Sequence, residues 1–131
     1  MIKNSRGFTV IEIIFVIVLI GAASIIFFIQ KQNLSVVAQD NTSKSAIHAM
    51  YYGLEEVFYP ANQYYPQTIS SDNLKSVDPT LFTDQNGIKI GETGSVYTYL
   101  PTNCTDSKCK SYALKTSLNK EDDYIKTSRN N

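Results

Sequence analysis

The most chemically informative residues in this sequence are one acid and two thiols. Glu12 stands near the start of an apolar run from Phe8 to Ile29, which is otherwise broken only by Thr9 and, deeper in, Ser24. An ionisable side chain in such a segment is costly and by default functional. A local explanation is available: a carboxylate in a first helical turn is favoured by the positive end of the helix dipole. A second explanation needs a cation. If the chain were cut after Gly7, Phe8 would gain a free amine able to pair with Glu12 of its own helix or of a neighbour. At 4 Å and an effective dielectric near 20, that attraction is about 4 kcal/mol before desolvation is counted against it.

Cys104 and Cys109 are the only cysteines. An even count in a region outside the cytoplasm favours a disulfide, which here would close a short loop and contribute roughly 2 kcal/mol. Two sulfurs without further ligands make a poor zinc site, and the spacing is not Cys-x-x-Cys. His48 is the single histidine and has no ligand cluster at suitable spacing, so no metal, cofactor or catalytic use is expected of it. Asn119, Glu121, Asp122 and Asp123 gather oxygen atoms without a defined calcium-ligand spacing and read as a solvated run. Lys108, Lys110, Lys115 and Lys120 form a mild basic cluster, also read as solvated rather than as a nucleic-acid contact. Asn103-Cys104-Thr105 matches a glycan acceptor pattern, weak evidence by itself.

These residues must be positioned by few elements. The chain has 131 residues and a formal net charge of zero, which gives no bulk attraction to nucleic acid or acidic lipid. Taken as a helix, the apolar run of about 22 residues spans about 33 Å, the thickness of a hydrocarbon core. Lys3 and Arg6 precede it and Lys31 comes after it, so the positive-inside bias puts the N-terminus in the cytoplasm. The stretch after the run, Gln30-Lys31-Gln32-Asn33-Leu34, offers no small-x-small cleavage site, so the segment is expected to stay in the chain. Ile47, Met50, Tyr51, Leu54, Val57 and Phe58 recur at spacings of three and four, one stripe of an amphipathic helix. The pattern predicts a continuous helix from Phe8 to Phe58, stopped at Tyr59-Pro60. Gly53 within it should cost roughly 1 kcal/mol.

Beyond it, Asn62 to Gln67 reads as a loop, Ser71 to Val77 as a short capped helix stopped by Asp78-Pro79, and Leu81 to Gly94 as loop with a short strand at Ile88 to Ile90. Val96 to Leu100 and Tyr112 to Leu118 alternate as half-buried strands, with a third at Tyr124 to Thr127. The fold class is therefore α+β: a long N-terminal helix against a small antiparallel sheet. The expected divisions are 1–7 as a cytoplasmic leader, 8–30 as a membrane helix, 31–59 as its amphipathic half and 60–131 as an extracytoplasmic head.

Gly7-Phe8-Thr9-Val10-Ile11-Glu12, behind a short basic leader and ahead of a long apolar helix, resembles the N-terminal signature of type IV pilins and type II secretion pseudopilins. The resemblance covers about the first 25 residues. It implies that a prepilin peptidase cuts between Gly7 and Phe8 and N-methylates Phe8, and that Glu12 serves filament assembly by neutralising a neighbour's N-terminal amine. It implies residence in the bacterial cytoplasmic membrane, then in a surface filament. The implied partners are copies of itself and other pilin-like subunits, the peptidase, a platform protein, an assembly ATPase and, before assembly, lipid. Val10 stands where the family usually has leucine. Ile29 stands where many members have a helix-breaking proline, so a straighter helix is expected. A competing reading is a single-pass anchored binding module that does not polymerise. An exported enzyme is not expected: no Ser/His/acid or Cys/His arrangement survives the disulfide, and the chain has no phosphate-binding glycine loop.

Overall fold

The computed structural model describes residues 7–130. They divide between Ser35 and Val36 into an N-terminal and a C-terminal unit. Helix α1 runs from Val10 to Tyr52 without a break at Gly21 or Ile29. Every residue from 7 to 35, the whole apolar run included, is exposed.

The C-terminal unit is α+β. Its sheet has four antiparallel strands: β1 (Tyr65–Pro66), β2 (Tyr97–Thr105), β3 (Lys108–Thr116) and β4 (Tyr124–Thr127). Strand β3 is central. One side pairs with β2 from Tyr97↔Thr116 to Thr105↔Lys108. The other pairs with β1 at Tyr65↔Cys109 and with β4 from Ala113↔Thr127 to Thr116↔Tyr124. Ala46, Ile47, Met50 and Leu54 of the helical segment pack with Tyr65, Tyr97, Tyr112 and Leu114 of the sheet to form the core. The strands expected from alternation are present, but β2 and β3 extend to a two-residue turn at Asp106-Ser107. Both turn residues lie at positive φ (50° and 63°), the backbone of a hairpin turn matched to strand twist.

The structure corrects the helix in two places. After Tyr52 the backbone widens into a π-helical turn, Gly53–Phe58, in which the Tyr59 N–H donates to the Leu54 carbonyl, five residues back. The helix then continues as α2, Tyr59–Asn62, so Tyr59-Pro60 is not a stop. Proline sits in the first turn of α2, where its missing N–H is least costly. Termination comes at Gln63 in the left-handed region, with the Gln63 amide donating to the Pro60 carbonyl at 3.2 Å and the Asn62 amide to the Phe58 carbonyl at 2.8 Å. The extra residue of the wide turn also rotates the side chains around the helix axis. Val57, expected on the buried stripe, is 53% exposed, and Glu55 is turned inward to 5%.

Other local expectations also change. Tyr65-Pro66, read as loop, is a sheet-edge strand. Ser71 to Val77 forms successive turns rather than a helix, tied by Asn73, which accepts from the Ser70 N–H and donates to the Thr68 carbonyl. Asp78-Pro79 starts a helix instead of ending one: Asp78 caps a 3₁₀ turn, Pro79–Phe82, by accepting from the Thr80 N–H. Ile88 to Ile90 contributes only a bridge, Thr83↔Lys89. In β2 the inward residues are Tyr97 and Tyr99, while Leu100 is half-exposed.

Candidate functional site

Two places in the chain hold residues that physical chemistry would not place there without a reason. The first is the start of α1. Gly7, Phe8 and Thr9 precede the helix in non-helical backbone, and Phe8 is 73% exposed. The Thr9 carbonyl accepts from the Glu12 N–H at 3.0 Å and from the Ile13 N–H at 3.2 Å, which closes the first turn. Glu12 is therefore in the first helical turn, where the dipole favours a negative charge. Among the described residues no cation lies within ion-pair distance of it. Met1 to Arg6, including the leader charges Lys3 and Arg6, lie outside the described residues. Farther along, the Ser24 hydroxyl donates to the Ile20 carbonyl at 2.8 Å, which satisfies that donor within the helix itself. The helix is long and apolar enough to cross a membrane.

The second place is Glu55. This carboxylate accepts from the Tyr112 hydroxyl at 2.8 Å, the Tyr65 hydroxyl at 3.0 Å and the Arg129 N–H at 3.3 Å. Burial, reinforced by Glu55 itself, pushes both phenols above their ordinary range, so they remain protonated donors. Asn130 donates to the Tyr65 oxygen, and the Arg129 guanidinium reaches Tyr51 and Glu56 on the helix. Tyr65 stacks on Tyr59 and meets Tyr112 edge-on, with ring centroids 4.8 and 4.7 Å apart. This aromatic cluster gives the tyrosine-rich composition a structural use. Glu55 thus fastens helix, sheet and C-terminal segment at one point. Sequence reasoning did not single it out, although an acid beside Leu54, inside an apolar stripe, was the available signal.

The remaining candidates fall into supporting roles. Cys104 and Cys109 are paired across β2 and β3 as a disulfide, with Cα atoms 3.9 Å apart; Cys109 is buried and Cys104 exposed. His48 is exposed, stacks with Tyr51 and meets the Tyr52 ring at a tilt. Parts of the acidic run act as fasteners: the Asn119 and Lys120 N–H groups donate to buried Asp40, Glu121 pairs with Lys44, and Asp123 pairs with Lys115. Among the described residues no three His, Cys, Asp or Glu side chains are grouped to hold a metal. No family model matches the chain, and comparison with curated proteins and with solved structures also finds no match.

Proposed function

We propose that this chain is a structural subunit of a type IV pilus-like or type II secretion pseudopilus filament. On this reading prepilin peptidase cuts between Gly7 and Phe8 and methylates Phe8, and the chain is inserted into the filament through α1. The observation that carries the reading is Glu12: an acid at the head of an apolar helical run exposed throughout to Ile29, just after a non-helical Gly7-Phe8-Thr9. A non-helical, exposed peptide bond suits a protease, and the amine released there is a cation for Glu12, which has none within ion-pair distance among the described residues. In the membrane, and later among packed helices, the low dielectric strengthens that pairing. The C-terminal unit, closed by a disulfide and with its loops tied by internal carboxylates, suits a head held outside the cytoplasm.

The test is direct. Mass spectrometry of protein from its native surface should find methyl-Phe8 as the N-terminus. Glu12→Ala should leave the chain in the membrane and abolish or sharply reduce filament assembly. An intact Met1 in cells with active peptidase overturns the proposal. Assembly indifferent to Glu12→Ala would favour the anchored, non-polymerising module instead.

A further inference from the structure

Four non-glycine residues in the described chain have positive φ: Gln63 (62°), Asn103 (55°), Asp106 (50°) and Ser107 (63°). Three of them line one open cleft of about 590 Å³ between the end of α2 and the β2–β3 hairpin, and Ser107 is next to Asp106 in the turn. A side chain in left-handed backbone is disfavoured, and glycine avoids the penalty. This chain uses glycine for positive φ elsewhere, at Gly87, Gly91 and Gly94. Around the cleft it keeps amide, carboxyl and hydroxyl groups instead. Gln63 is accounted for by its cap on α2 and Asp106 by the two-residue hairpin turn, which leaves Asn103 as the position that neither explains. Backbone held in costly regions concentrates where ligands bind.

The other walls suggest the ligand. Tyr59 and Tyr64 supply aromatic surface, and the Lys108 ammonium sits 5.1 Å from the Tyr64 ring centroid. The ion pairs among the described residues are Lys44–Glu121, Lys115–Asp123 and Arg129–Glu56, so neither Lys108 nor Lys110 is matched with a carboxylate. Phenol rings can pack against the C–H face of a pyranose, amides can bond to its hydroxyls, and unmatched ammonium groups can hold a carboxylate. The volume is within the range of small-molecule sites. We propose that this cleft binds an acidic saccharide of the uronate type, with Asn103, Lys108 and Lys110 as its polar contacts. The inference stands apart from polymerisation and holds whether or not the chain forms a filament.

The full chain in detergent micelles would be titrated calorimetrically with tri-galacturonate, maltotriose and a short oligothymidylate. Saturable binding is expected for tri-galacturonate, roughly tenfold tighter than for maltotriose, the scale of one charge-assisted contact. Lys108→Gln with Lys110→Gln should weaken it by at least about tenfold on the same scale. Asn103→Gly separates ligand chemistry from folding. It relieves the left-handed backbone, so the thermal midpoint should hold or rise while affinity falls about fivefold. Unchanged affinity in Asn103→Gly, no saturation by tri-galacturonate, or tighter binding of the oligothymidylate each overturns the proposal.

Discussion

Removing the Glu55 carboxylate should damage the C-terminal unit more than any other single truncation of a polar side chain. Glu55→Ala leaves two buried phenols, Tyr65 and Tyr112, without the acceptor they now share at 3.0 and 2.8 Å. Orphaning a buried donor costs about 1–3 kcal/mol, so the pair sets a loss of about 2–6 kcal/mol. Part is returned, because a carboxylate buried without a cation is itself destabilising. The expected net loss is about 3 kcal/mol, a large share of the 5–15 kcal/mol of an ordinary domain. Glu55→Gln keeps the shape and one acceptor oxygen but adds a donor with no place to go, and should cost about 1–2 kcal/mol. Urea unfolding of the full chain in detergent, followed by tyrosine near-ultraviolet dichroism, measures both. A double-mutant cycle with Tyr112→Phe should return a coupling of about 1.5 kcal/mol, since the bond can be lost only once. A Glu55→Ala loss below about 1 kcal/mol, or strict additivity with Tyr112→Phe, would refute the account of Glu55 as the fastening point.

Gly53→Ala, ordinarily stabilising within a helix by about 1 kcal/mol, should here destabilise by about 1–3 kcal/mol. The added Cβ would stand 2.7 Å from Val77 Cγ2 and 3.2 Å from Ser76 Oγ, and a β-branched core side chain has little freedom to yield; the urea midpoint reads the sign. Acid should loosen the loops through Asp84. Its burial favours the neutral form, but donation from the Val96, Ile88 and Asn86 N–H groups outweighs this and holds the carboxyl below its ordinary range. A folded pKa below the unfolded value of about 3.9 contributes stability above that pH, and the contribution is lost as pH falls through the folded value. The urea midpoint should therefore decline below about pH 4, and Asp84→Asn should lower it at pH 7 while flattening the decline. Reducing Cys104–Cys109 should cost roughly 2 kcal/mol and raise hydrogen exchange at Thr105 to Lys110 and at Tyr65, leaving Ala113 to Thr116 protected.

Patterns carried by neighbouring residues were legible in the sequence. The exposed apolar helix arises from an unbroken run too long for a small domain to cover, and Glu12 stands out because nothing else in that run is charged. Alternation located parts of β2 and β3, whose ends at the hairpin it missed, and the third expected strand, Tyr124 to Thr127, was recovered to its ends. The two cysteines paired as the sequence suggested, because the hairpin places them directly opposite each other. These are properties of period, composition and short separation.

Tertiary structure decided what depends on distant partners. A helical wheel of constant pitch buries Val57 and exposes Glu55, whereas one extra residue in the turn at Gly53–Phe58 reverses them. That wide turn is stabilised from outside the helix, by Tyr65, Tyr112 and Arg129 converging on Glu55 and by close approach of Val77 to Gly53, contacts across separations that no local pattern encodes. The same holds for Asp40 and Asp84. Each looks like a surface acid in its own segment, and each is buried because backbone N–H groups of other segments, or of the turn it closes, need an acceptor there. Local periodicity sets which elements form. Only the assembled unit brings donor and acceptor close enough to decide which polar groups go inside.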